Sequence, residues 1–169
     1  MSTLNLDAQA LYAEMLAAVR ALWRPGMQVL GIWSGGAWLA ERLHADLGLP
    51  GKPGVITSAL HRDDFSARGF GHGKDATKIP FEVDGAHILL IDDVLFTGRT
   101  IRAVLNELFD FGRPARVELA VLVDRGGREL PVAARYCAHT LAAPLAREQN
   151  LELQRDAAGQ FGLELTQRA

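Results

Sequence analysis

The sequence predicts a single α/β domain, a mostly parallel central sheet flanked by helices. Three observations predict it. Apolar runs of strand length alternate with segments whose apolar residues recur at helical spacing, the pattern of strands joined through helices. A length of 169 residues favours one domain around one core. Acidic and glycine-bearing turns follow the strand candidates, and in such sheets ligands bind beyond the carboxyl ends of the strands.

Leu11, Met15, Leu16, Val19, Leu22 and Trp23 recur at helical spacing, so residues 6–23 read as an amphipathic helix stopped by Arg24-Pro25-Gly26. QVLGIW (28–33) reads as a short buried strand broken by Ser34-Gly35-Gly36. Helical spacing returns over 37–47 through Leu39, Leu43 and Leu47, and Gly48 closes that helix. VITSAL (55–60) is a second strand. The polar, glycine-bearing stretch 61–80 is too long for an idle connection and reads as a functional loop or protruding arm. HILLID (87–92) is the strongest strand in the chain. Ile101, Val104, Leu105, Leu108 and Phe109 then give a helical face, ended at Phe111-Gly112-Arg113-Pro114. RVELAVLVD (116–124) is another long apolar strand, and 135–137, 151–155 and 161–165 are read as further edge strands.

Composition narrows the function classes. Hydrophobic residues at 49% and charged residues at 22% argue against disorder. A formal charge of -2 removes the simple argument for nucleic-acid binding, which wants a basic footprint. The lone Cys137 excludes an intramolecular disulfide framework and a multi-cysteine zinc site. No apolar run reaches the ~18 residues of a membrane span and no signal-like segment opens the chain, so the expectation is a cytoplasmic protein without membrane contact. His44, His61, His72 and His87 show no ligand spacing, so no metal is expected to be held directly by histidine.

The chemistry concentrates in HILLIDDVLFTGRTIRAVLNEL. Two carboxylates, Asp92 and Asp93, sit where a buried strand gives way to a Thr-Gly-Arg-Thr turn and a helix. Free amides at a helix N-terminus, with the helix dipole behind them, form an anion cradle. Gly98 lets the backbone approach a bulky anion, Thr97 and Thr100 supply hydroxyls, and Arg99 is a candidate cation. The adjacent acids suit either a pair of ribose hydroxyls or the surroundings of a hydrated Mg²⁺. Acids followed at once by an anion nest read as a site for a phosphorylated sugar. A Walker loop is absent, and Gly69-Phe70-Gly71-His72-Gly73-Lys74 lacks the strand and helix that a dinucleotide loop requires.

The run ILLIDDVLFTGRT (88–100) resembles the 5-phosphoribosyl-1-pyrophosphate (PRPP) signature of type I phosphoribosyltransferases: four apolar residues, two acids and a Thr-Gly-x-Thr turn. RDDF (62–65), IPF (79–81) and DDVLFTGRTIRAVLNELFDFGRPARVELAVLVDRGGRELPV (92–132) are similar to the PyrR family, pyrimidine operon regulators that double as uracil phosphoribosyltransferases. The resemblance implies the type I fold, a parallel sheet with helices and a small hood formed by the N-terminal helix, residues 125–169, or both. It implies joining uracil to PRPP to give UMP and pyrophosphate, with Mg²⁺ bound to the PRPP. On that model Asp92 and Asp93 are catalytic and hold the ribose hydroxyls. Val94, Leu95, Phe96, Thr97, Gly98, Arg99 and Thr100 cradle the 5′-phosphate, and Ser34, Gly35 and Gly36 form the pyrophosphate loop. Arg62, Lys74 and Lys78 are cations of a loop folding over the pyrophosphate, or else solvated loop residues. Asp124, Arg125 and Gly126 read uracil, chiefly through backbone groups, with pairing of Arg125 to a nearby acid and capping by Asp124 as the other readings. Arg128 to Pro131 support the fold.

The chain departs from the family pattern in two places. The pyrophosphate loop usually reads close to G-I-x-T-R-G, and here it is GIWSGG (31–36), with Ser34 for Thr and Gly35 for Arg. One lost charge-assisted contact there costs ~1.5–3 kcal/mol. Trp33 and Trp38 beside it are either packing residues or an aromatic lid. AARYCAHT (133–140) replaces an Asp-aromatic-Val-Gly-Lys-like run, which changes the charge at Arg135 and His139. The resemblance also implies dimers or larger homo-oligomers and an RNA-binding role controlled by UMP or UTP. The cationic candidates for RNA are Arg20, Arg24, Arg135, Arg147 and Arg155, scattered in a chain whose acids outnumber its bases by 20 to 18. A weakly catalytic PRPP or nucleotide sensor is the remaining alternative.

Overall fold

The computed structural model describes residues 4–58 and 77–168. The elements run α1 (Ala8–Leu22), β1 (Met27–Ile32), α2 (Gly35–Asp46), β2 (Gly54–Ile56), β3 (His87–Leu95), α3 (Arg99–Phe111), β4 (Arg116–Asp124), β5 (Tyr136–Thr140), β6 (Gln149–Arg155) and β7 (Phe161–Gln167). The first five strands form one sheet in the order β2-β1-β3-β4-β5, every neighbouring pair parallel. β6 and β7 form a separate antiparallel hairpin.

The α/β reading therefore holds, with one change. The segments 151–155 and 161–165 do not extend the main sheet as edge strands; they pair with each other and close over one of its faces. Only Tyr136–Thr140 joins the sheet edge, beside β4.

Two apolar clusters lie on opposite faces of the sheet. One face buries Leu89, Ile91, Ala120 and Leu122 against α1, α2 and the hairpin residues Leu151, Leu153 and Phe161. The other buries Ile88, Leu90, Leu119 and Val121 against Ile101, Val104 and Leu108 of α3. Alternation along β3 and β4 thus sends odd and even residues to different cores, and a strand buried on both faces reads as an unbroken apolar run.

The helix ends follow local chemistry. Asp7 caps α1, its Oδ1 accepting the amides of Gln9 and Ala10 at 3.0 and 3.1 Å. Gly48, at φ +64°, closes the turn after α2, where the amide of Leu49 donates to the His44 carbonyl. Where α1 meets α2, the Tyr12 hydroxyl donates to Asp46 at 2.6 Å, and burial together with that carboxylate pushes its pKa well above the usual tyrosine value.

At the start of β3 and β4, far from the carboxyl ends of the strands, Glu118 gathers three cationic or donor groups. His87 Nε2 lies 2.8 Å from its carboxylate, Arg116 3.0 Å and Arg135 3.4 Å. The contact with His87, aided by the two arginines and opposed by burial, holds the Glu118 carboxyl below the usual value. A depressed folded pKa contributes stability above the unfolded value of about 4.3 and loses it as pH falls through the folded value. Glu118→Gln is therefore expected to flatten the acid side of the stability profile, measured by urea unfolding between about pH 3 and 6. A slope identical to that of the unaltered chain would show that Glu118 carries none of the acid sensitivity.

Candidate active site

β3 runs past the strand end expected from the sequence, through both acids to Leu95. Asp92 is 7% exposed, and its Oδ1 accepts the amide of Asp93 at 2.9 Å. Asp93 points toward α2 and the hairpin. Its Oδ1 accepts the amide of Val94 at 2.9 Å, and its Oδ2 accepts the amide of Leu153 in β6, also at 2.9 Å. Both acids are thus oriented by backbone N–H groups before any ligand arrives. Each Asp93 carboxylate oxygen has a further lone pair for a hydroxyl donor.

The turn that follows brings the chain into α3. Gly98 sits at φ +92°, a left-handed conformation that favours glycine, and a Cβ there would fall 3.1 Å from Val132. Thr97 Oγ1 accepts the amide of Arg99 at 3.1 Å, and the first helical bond runs from the Arg102 amide to the Gly98 carbonyl. The amides of Thr100 and Ile101 precede that bond, so the helix start offers donors to an anion. The Arg99 side chain is exposed and paired with Glu129 at 2.9 Å, and Arg147 approaches the same carboxylate at 3.4 Å.

The GIWSGG loop abuts the acids. A Cβ on Gly35 would lie 2.5 Å from Asp93 Oδ2, and one on Gly36 would lie 2.3 Å from the Ile91 carbonyl. These contacts press the N-terminus of α2 against β3. The Trp33-Ser34 peptide bond is cis. Trp33 is 48% exposed beside the loop, whereas Trp38 lies under the guanidinium of Arg155, whose carbon is 5.0 Å from its ring centre. The packing reading thus fits Trp38 and does not fit Trp33.

The turn after β4 is held by its own arginines. Arg128 donates to Asp124, to the Phe96 carbonyl and, at 2.9 Å, to the Val132 carbonyl. Asp124 Oδ1 also accepts the amide of Gly126 at 3.0 Å, and the Thr97 carbonyl accepts the amides of Glu129 and Leu130 at 3.0 Å. This stitches the turn to the anion cradle. Arg125 is 2% exposed and lies over the Phe96 ring at 3.9 Å. It donates to the carbonyls of Gln149 at 2.6 Å and Ala146 at 2.9 Å. Burial, and secondarily the charge of Arg168, pulls its pKa below the usual arginine value. The partners of Arg125 are thus not an acid but backbone carbonyls that lead into the hairpin. Arg125→Met is expected to leave those carbonyls bare at about 1–3 kcal/mol each, read as a lower denaturation midpoint. An unchanged midpoint would mean the hairpin docks without it.

Lys78 is exposed, and its backbone bridges Val55 in both directions at 2.7 and 2.8 Å. Arg62 and Lys74 lie outside the described residues. No group of three or more metal-binding side chains occurs among the described residues. The acid pair fits a Mg²⁺ carried by a polyphosphate sugar, which takes one or two carboxylates and keeps its waters. An open cleft of about 400 Å³ between α3, β4 and residues 131–135 contains neither acid. No helix among the described residues is long and apolar enough to cross a membrane.

The acid pair, the helix start and the glycine loop lie together at the carboxyl edge of the parallel sheet, within a phosphoribosyltransferase domain. Residues 9–139 match the model of the phosphoribosyl transferase domain. The fold is similar to a solved hypoxanthine-guanine-xanthine phosphoribosyltransferase, with a TM-score of 0.58, 20% identity, and 80% of this chain and 74% of that one covered. Within that class the chain belongs to the bifunctional PyrR family. It is 49% identical over 163 residues to the bifunctional protein PyrR of Ralstonia nicotianae, covering 94% of this chain and 92% of the relative. It is 46% identical to that of Nitrosococcus oceani, covering 83% and 78%.

The sequence pointed to the acids, the cradle and the glycine loop, and the structure brings these together. It did not point to Leu153. Its contribution is a backbone amide from a strand sixty residues beyond Asp93, and no side-chain pattern marks such a group.

Proposed function

We propose that this chain joins uracil to PRPP, giving UMP and pyrophosphate, with Mg²⁺ arriving on the PRPP. The observation that carries the reading is the acid pair, fixed by backbone amides at the mouth of the Gly98 helix start. The sugar's 5′-phosphate would sit on the amides and hydroxyls of residues 97–101. Asp92 and Asp93 would accept the ribose hydroxyls and lie near the positive charge that develops on the sugar. The bond from C1 to the pyrophosphate oxygen breaks with its electron pair leaving on pyrophosphate. A ring nitrogen of uracil then forms the new bond to C1 and gives up its proton. The protein's part is positioning and charge stabilisation. Mg²⁺ neutralises pyrophosphate charge when bound. The amides of Ser34 to Gly36 would line the leaving group, and Lys78 with Arg62 and Lys74 would face it. Uracil would meet the backbone of Asp124 to Gly126, since the Arg125 side chain is engaged with Ala146 and Gln149.

The family name "bifunctional" supports a second, regulatory role, for which a pyrimidine-operon messenger RNA is the proposed partner. The five arginines weighed for it each have partners: Arg20 on the Asp46 carbonyl, Arg24 on the carbonyls of Ala21 and Trp23, Arg135 on Glu118, Arg147 on Glu129 and Arg155 on Glu41. We also place the protein in the cytoplasm as a homo-oligomer.

The test is uracil-dependent pyrophosphate release with PRPP and Mg²⁺, run beside guanine, hypoxanthine and orotate. Turnover with uracil alone is expected. Tight PRPP or UMP binding without turnover would make the protein a sensor, and no binding of either would overturn the reading. RNA affinity that changes with UMP in a gel shift would support the regulatory role.

A further inference from the structure

We infer that the C-terminal hairpin is an arm of the sugar site, and that the Leu153 amide positions the Asp93 carboxylate for the ribose. The inference rests on the proposed sugar site and adds a third element to it.

A two-stranded hairpin leaves the outer edge of each strand with unpaired amides, which must find acceptors when buried. In β6 the Leu153 side chain is 3% exposed, so its backbone lies inside the protein. Leu153 faces Leu163 across the hairpin, yet its N–H turns outward and donates to Asp93 Oδ2 at 2.9 Å. The hairpin is anchored on both sides of this point. Arg125 grips the carbonyls of Ala146 and Gln149 before it, and Arg155 pairs with Glu41 at 3.0 Å and covers Trp38 after it. The amide is therefore held by the fold and does not depend on the ligand.

Asp93 is in turn confined from the opposite side. Gly35 leaves no room beyond the carboxylate, since a Cβ there would fall 2.5 Å from Oδ2. The glycine loop, the acid pair and the hairpin thus meet at one oxygen. Leu153 is a positioning residue that acts through Asp93, and Gly35, having no side chain, lets α2 close against this carboxylate.

The test replaces only the 152–153 amide with an ester, through semisynthesis of the full-length chain from a C-terminal peptide. Every side chain and carbonyl survives, and the Leu153 N–H alone is lost. An all-amide chain made the same way is the control. The KM for PRPP and kcat are measured with uracil and Mg²⁺, and Mg²⁺-PRPP affinity and melting temperature are measured alongside. Loss of a hydrogen bond to a charged group predicts a fall in kcat/KM for PRPP on the order of tenfold or more. The KM for uracil is expected to stay unchanged. A purely structural contact would lower the melting temperature without moving kinetic constants per folded site. Ester and control within twofold in kcat/KM and PRPP affinity would overturn the inference while leaving the sugar site standing. A control that neither binds PRPP nor turns over would overturn the sugar site, and the inference with it.

Discussion

Asp93→Asn is expected to lower uracil turnover by about 10²-fold, because it removes both a charge beside the cationic sugar and an acceptor that the fold requires. The two oxygens of Asp93 face two different N–H donors, Val94 and Leu153. An asparagine has one oxygen and one NH₂. Whichever way the amide turns, a donor is set against a donor, at a cost of about 1–3 kcal/mol. The variant should therefore lose catalysis and loosen the hairpin together. Steady-state kinetics read the first effect, and hydrogen exchange at the Leu153 amide reads the second. Wild-type kcat in this variant would remove Asp93 from the sugar site. The ester at residue 153, which keeps the charge, should fall between this variant and the unaltered protein.

Gly36→Ala should be nearly as damaging for a different reason. The new Cβ would lie 2.3 Å from the Ile91 carbonyl and 3.0 Å from the Asp92 Cα. Both are backbone atoms of a central strand, so no side chain can turn aside. Either α2 lifts or β3 bends, and overpacking of this kind costs about 1–3 kcal/mol. Because β3 carries the acids and α2 opens the glycine loop, the displacement should reach both halves of the site. A reduced melting temperature with PRPP affinity down by at least tenfold is expected. Melting and affinity equal to the unaltered chain would show that α2 stands off the strand. Gly162 is the contrasting position, since nothing lies within 4 Å of a Cβ there and its backbone is not left-handed.

The central sheet was legible because its strands are buried on both faces, so HILLID and RVELAVLVD stand out as continuous apolar runs. The cradle was legible because it needs particular residue types: a glycine at φ +92° and hydroxyls at a helix start. The hairpin was half legible. Leu151, Leu153, Leu163 and Leu165 alternate as a strand should, but alternation does not say which edge a strand pairs with, and two strands expected at the sheet edge pair with each other. Arg128 supports the fold through its bonds to Phe96, Asp124 and Val132. Arg125 was harder, because the partners of a buried guanidinium here are carbonyls, which every residue carries. The loop cations Arg62 and Lys74 fall outside the described residues, and their place at the site is part of the proposal.

Loop entropy gives the pairings of the parallel sheet an expected order. β3 and β4 are joined across residues 96–115, with α3 packed between them, so their pairing closes a modest loop. Pairing β1 with β3 must close the much longer span from Trp33 to Ala86. Loop entropy favours the nearer contact first. The β3-α3-β4 unit carries the acids, the cradle and the turn proposed for the base, so these can take shape while the glycine loop is still unattached. The contact of Gly36 with β3 then forms only when that longer loop closes.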